Sequence, residues 1–122
     1  MGQIRPSELD ERLSAGEEPF LLDIRPEESF RDGSIDGARN VAVYRDLQRG
    51  RESALRDRLG EIPRDREVVV VCKAGIVAKK ATAILEEEGY DAATLLGGMS
   101  GWNGYHEGTI GYRLRSLLWR VG

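Results

Sequence analysis

Cysteine and histidine are nearly absent: the 122-residue sequence contains one of each, Cys72 and His106. A single cysteine excludes an internal disulfide, and one cysteine with one histidine is a poor ligand set, so no metal is expected. No apolar run has the length of a membrane span. The opening "MGQIRPSELDERL" is too charged for a signal peptide. Gln3-Ile4-Arg5-Pro6 after Gly2 lacks the Ser/Thr of a myristoylation site. Charge of one sign is not in great excess, the formal net value being -3, so no whole-surface attraction to nucleic acid is expected. These absences predict a cytoplasmic protein in a reducing compartment, with no nucleic-acid partner and no membrane attachment through a span. There are no repeats and no low-complexity tracts. The length suits one domain with its own core and is too short for two.

What is present is an alternation of apolar runs. "IRPSELDERLSAG" reads as a strand end at Ile4 followed by a helix: Pro6 suits the first turn, Leu9 and Leu13 share a face, and Gly16 can stop it. "FLLDI", 20–24, is a short strand ending at an acid, and "PEESFRDG", 26–33, a short helix. "GARNVAV", 37–43, reads as a second short strand. The arginine-rich stretch 45–60, with Leu47, Leu55 and Leu59 to pack, reads as helical. "EVVVVC", 67–72, is apolar and β-branched throughout, as in a strand buried on both faces of a parallel sheet. Val77, Ala81, Ile84 and Leu85 form one stripe of a helix over 77–88, which Gly89 ends. "AATLL", 92–96, is the next strand, and "GGMSGWNG" reads as a glycine-rich turn region. Strands alternating with helices imply an α/β fold of three layers: a mainly parallel central sheet with helices on both faces. Sites in such sheets lie beyond the carboxyl ends of the strands.

Cys72 stands at such an end. Four valines run into it, and the next helix begins around Val77 or Ala78. The loop between contains Gly75, which can take backbone angles closed to other residues and so turn N–H groups onto one centre. The helix that follows presents its positive end to the same place, and both effects favour a thiolate over a thiol. The charges on that helix run against its dipole: Lys79 and Lys80 are in the first turn, and Glu86, Glu87 and Glu88 in the last. Lys73, Lys79 and Lys80 around the thiol suit a pocket that holds a small anion.

The loop Cys72-Lys73-Ala74-Gly75-Ile76-Val77-Ala78 resembles the active-site loop of the rhodanese family, C-x-x-G-x-R or C-x-x-G-V-T-A. "LLDIRPEESFRDGSIDGARNV" is similar to the family's D-V-R-x-x-x-E-F-x-x-G-H-I-P-G-A-x-N segment, with Asp23, Arg25, Phe30, Gly33, Ile35, Gly37, Ala38 and Asn40 matching. Ser34 replaces its histidine and Asp36 its proline. "LLGGMSGW", 95–102, resembles the L-x-G-G-x-x-x-W ending. Three motifs in the family's order span roughly residues 4 to 105. The resemblance implies a rhodanese-like domain over 1–108 and a sulfurtransferase that works through a Cys72 persulfide. It implies a small anionic donor such as thiosulfate, a thiol, cyanide or protein acceptor, and no cofactor. Lys73 matches members that use thiosulfate. Val77 stands where arginine or threonine makes substrate contacts, so activity is expected to be low or altered. Asp23 and Arg25 are expected to support the site through a salt bridge or loop hydrogen bonds, and Lys79 to support it from the helix.

Other readings carry a discriminating feature. A non-catalytic rhodanese-like binding or regulatory module is the alternative, with Val77 its best support. A phosphatase or arsenate reductase needs Cys-x5-Arg, and Ala78 occupies the arginine position. His106 reads as a surface residue and Trp102 as a core anchor. The tail "TIGYRLRSLLWRVG", 109–122, reads as an amphipathic basic helix from Leu114, Leu117, Leu118 and Val121. It is expected to pack on the domain, with a dimer contact or an acidic membrane surface as alternatives. The oligomeric state is left open.

Overall fold

The computed structural model describes residues 2–108; the expected tail helix at 109–122 lies outside the described residues. Five strands form one sheet in the order β1-β5-β4-β2-β3, and every pair is parallel. They are β1 (Gly2–Ile4), β2 (Phe20–Asp23), β3 (Arg39–Asn40), β4 (Val68–Val71) and β5 (Ala92–Leu95). The helices are α1 (Pro6–Ser14), α2 (Glu27–Asp32), α3 (Tyr44–Gln48), α4 (Ser53–Arg56) and α5 (Ile76–Glu87). A 3-10 turn lies at Leu59–Glu61, and a sixth helix, α6, occupies 98–108.

The strand period of two divides the core. On one face Val68, Val70 and Cys72 pack with Leu22, Ile24 and the buried stripe of α5, Val77, Ala78, Ala81, Ile84 and Leu85. On the other, Val69 and Val71 pack with Leu21, Leu9 of α1, Leu95, Met99 and Trp102. All four valines of β4 are 1% exposed or less. A central strand covered on both sides must be apolar at every position, which is why "VVVV" shows no alternation. α5 is further tied to β5 by a buried hydroxyl pair, Thr82 Oγ1 to Thr94 Oγ1 at 2.7 Å.

Four sequence expectations are corrected. The strand at 37–43 pairs only at Arg39–Asn40. Val41 and Val43 beyond it are buried because the chain turns inward there, with the Val41 N–H on the Asp23 carbonyl (2.9 Å) and the Tyr44 N–H on that of Ile24 (2.9 Å). The stretch 45–60 is not one helix: α3 closes at Gly50, whose N–H bonds the Leu47 carbonyl, and α4 and the 3-10 turn follow as separate pieces. Leu47 and Leu55 are buried as their spacing suggested, but burial of two leucines does not require a continuous helix between them. The glycine-rich "turn" is mostly helix, since Gly98 already belongs to α6. Met99, Trp102 and His106 recur at i, i+3 and i+7, a helical period that the glycines mask. On α6, His106 is not a plain surface residue. Its ring packs 4.4 Å from that of Trp102 and 5.2 Å from that of Tyr105, centroid to centroid. Its Nε2 is buried without a hydrogen-bond partner among the described residues.

Candidate active site

β4 ends at Val71, so Cys72 is the first residue past the carboxyl end of the central strand. It is a free cysteine, 1% exposed. The loop reverses through Gly75, the N-cap of α5, at φ 87°, ψ -1°. This left-handed conformation costs glycine little and strains any residue with a Cβ. It aims the Gly75 N–H at the Cys72 Sγ, 3.0 Å away. No side chain caps α5, so the sulfur stands at the helix's positive end, where first-turn N–H groups lack intrahelical acceptors. The sulfur thus accepts one backbone N–H and lies beside the helix N-terminus.

The second face of the loop is held by α6. The N–H groups of Met99 and Ser100 donate to the carbonyls of Cys72 (2.8 Å) and Lys73 (3.0 Å). This draws the loop carbonyls toward α6. The backbones meet so closely at Gly98 that a Cβ there would lie 2.3 Å from the Cys72 carbonyl oxygen and 2.7 Å from the Lys73 carbonyl carbon. Gly98 is therefore part of the site's construction. Gly98→Ala is expected to displace the cysteine loop and cost about 1–3 kcal/mol in overpacking and backbone strain. A thermal melt with an unchanged midpoint would refute this.

Asp23 and Arg25, at the end of the neighbouring β2, form a buried pair. Arg25 Nε donates to Asp23 Oδ1 (3.0 Å) and Nη2 to Oδ2 (2.8 Å), while the Arg25 backbone N–H also reaches Oδ1 (3.0 Å). Arg25 Nη2 further donates to the Gly33 carbonyl (2.7 Å), and Asn40 Nδ2 to the carbonyls of Asp23 (3.0 Å) and Arg25 (2.9 Å). These bonds join the ends of β2 and β3 and the end of α2 into one rim. Matched residues of the Asp-x-Arg and Asn segments thus meet in space, although 17 positions separate Asp23 from Asn40.

Lys73 and Ala74 are exposed on the loop, Gly75 is buried, and Ile76 is 72% exposed. Val77 (6%) and Ala78 (0%) are buried in the core, and neither lines the cleft beside the loop. Beside the loop opens a cleft of about 520 Å³ whose lining includes Arg25, Tyr44, Arg45, Lys73, Ser100 and Asn103. Lys79, expected to support the site, is exposed on α5 and is not among that lining, nor is Lys80. The cations brought to the cleft are instead Lys73, Arg25 and Arg45. The acidic last turn of α5 is offset by Arg56 of α4, which pairs with both Glu87 and Glu88. Sequence reasoning missed Arg45, Tyr44, Ser100 and Gly98 because each reaches the site from a distant segment. The only signal for Gly98 was the glycine pair itself.

The Rhodanese-like domain profile matches residues 5–105. The chain is 26% identical over 102 residues to a putative sulfurtransferase, YtwF, of Bacillus subtilis, covering 84% of this chain and 90% of that protein. It is 37% identical over 84 residues to the thiosulfate sulfurtransferase GlpE of Shewanella oneidensis, covering 68% of this chain and 74% of the relative. Among solved structures, a rhodanese-like domain protein from Staphylococcus aureus superimposes with a TM-score of 0.70 at 25% identity, over 84% of this chain and 91% of that one.

Proposed function

The chain belongs to the rhodanese-like family, and we propose that it is a sulfurtransferase that carries a sulfane sulfur on Cys72. The observation that carries this reading is the Cys72 Sγ at the end of the central strand, 3.0 Å from the Gly75 N–H at the N-terminus of α5. In the first half-reaction the Cys72 thiolate attacks the outer sulfur of a small anionic donor such as thiosulfate. The donor's S–S bond breaks, and sulfite leaves with the electron pair. The persulfide's outer sulfur then carries the negative charge, in the field of the same helix end. An acceptor nucleophile, cyanide or a thiol of a small molecule or protein, next attacks the outer sulfur, and Cys72 leaves as the thiolate. The two steps make a ping-pong cycle that needs neither metal nor organic cofactor. A reducing, cytoplasmic compartment suits this chemistry because it keeps Cys72 unpaired.

The mass of the purified protein before and after thiosulfate is the test. A gain of one sulfur, removed by cyanide, supports the enzyme. An unchanged mass with every sulfane donor tried refutes it. The non-catalytic module is favoured by two observations, the 1% exposure of Cys72 and the buried apolar Val77 in place of an arginine or threonine, and it predicts that unchanged mass.

Lys73 is expected to draw the anionic donor to the loop mouth. Because it is exposed, its electrostatic contribution is screened. Lys73→Ala should raise the KM for thiosulfate by about three- to tenfold, with less effect on a neutral thiol acceptor. An unchanged KM in steady-state assays would assign donor binding to the backbone alone.

A further inference from the structure

The cleft beside the cysteine loop has a volume and a charge pattern that thiosulfate does not use up. At about 520 Å³ it falls in the range of sites for whole organic ligands. It also carries uncompensated charge of both signs. Most arginines among the described residues are engaged: in the same arginine-rich stretch Arg51, Arg56 and Arg58 pair with Asp46, Glu87 and Glu88, and Glu61. Arg25 at the rim is neutralised by Asp23. Arg45 and Lys73 also line the cleft, and neither makes an ion pair among the described residues; nor does Asp32, the acid in the same lining. Neutral hydrogen-bonding groups, among them those of Tyr44 and Asn103, complete the wall.

We propose that this cleft is the acceptor site and selects a thiol that bears an amino-acid headgroup. Arg45, with Lys73, receives the carboxylate, and Asp32 receives the ammonium. The inference rests on the sulfurtransferase reading and deepens it. Lys73 adjoins Cys72 in the chain and lines the cleft, so an acceptor bound there lies next to the cysteine loop. In a ping-pong cycle the donor has left before the acceptor binds, so Lys73 serves both in turn. The step is an exchange: the acceptor thiol loses its proton to solvent, and its thiolate attacks the outer sulfur of the Cys72 persulfide. The S–S bond to Cys72 breaks, the electron pair returns to Sγ, and the acceptor departs as its persulfide. No net oxidant or reductant is consumed.

Four acceptors separate the charges: L-cysteine has both, 3-mercaptopropionate the carboxylate, cysteamine the ammonium, and 2-mercaptoethanol neither. The whole protein is loaded with thiosulfate or polysulfide, loading is confirmed by mass, and transfer to each acceptor is timed. Arg45→Gln should raise the KM for L-cysteine and 3-mercaptopropionate by about three- to tenfold and leave 2-mercaptoethanol within about twofold. Asp32→Asn should do the same for L-cysteine and cysteamine. Persulfide formation is timed separately in both variants, so that any change in loading is divided out of the transfer step. If the persulfide forms but both variants treat all four acceptors alike, the acceptor site is refuted and the sulfurtransferase stands. If the wild-type protein forms no persulfide from either donor, both readings fall.

Discussion

Cys72→Ser is expected to abolish sulfur transfer. Oxygen in place of sulfur removes the only thiol of the chain, and a serine hydroxyl does not displace sulfite from thiosulfate. Loss of an obligatory nucleophile lowers turnover by on the order of a thousandfold or more, which in this assay is background. The fold should remain: the hydroxyl is smaller than the thiol, and its oxygen can accept the Gly75 N–H that now points at Sγ, 3.0 Å away. The cost in stability should be about 1–2 kcal/mol for placing a hydroxyl where the side chain is 1% exposed. Circular dichroism and a thermal melt establish that the variant is folded, and mass analysis after thiosulfate should show no added sulfur. Turnover retained by a folded Cys72→Ser protein would remove Cys72 from the mechanism.

Val77→Arg is expected to destabilise the protein without raising its rate. The family resemblance places an arginine or threonine with substrate contacts at this position, which makes restoring the arginine an obvious gain-of-function experiment. The geometry argues otherwise. Val77 is 6% exposed and packs in the core cluster with Ala78, Ala81 and Ile84, in the first turn of α5 and at its positive end. A guanidinium there must displace apolar neighbours or lie buried without an anion. An uncompensated buried charge costs about 3–5 kcal/mol. For a domain of this length that lowers Tm by roughly 10–20 °C. Calorimetry and steady-state kinetics on this variant decide the question. A higher rate with thiosulfate at unchanged Tm would show that the side chain escapes the core and reaches the loop mouth.

The fold class was legible because the evidence for it is local. Four consecutive valines with no polar alternation can be accommodated in the middle of a sheet covered on both faces, and Val77, Ala81, Ile84 and Leu85 recur at a helical period. The position of Cys72 at a strand end and the need for Gly75 in the turn follow from the same short stretch. Those features depend on residues within a few positions of each other, so periodicity and turn chemistry capture them. The run of separate short pieces over 44–61 was not legible. Leucine spacing reports burial, and the same burial is reached by one helix or by three fragments.

What only the tertiary structure decided is what meets the cysteine. Asp23 and Asn40 converge with Arg25 because β2 and β3 are adjacent and end at the same level. Gly98 abuts the Cys72 carbonyl from 26 positions away, and the glycine pair marked the position without naming what it would meet. Lys79 and Lys80 looked like the anion-holding cations by proximity in the chain, yet α5 leaves them exposed and outside the cleft lining. Arg45 lines it from α3 instead. Sequence spacing fixes which way residues face along one element. Which elements lie side by side depends on the order in which strands pair, and in this sheet β4 lies between β5 and β2, so the site beyond its end is assembled from segments that chain distance does not relate.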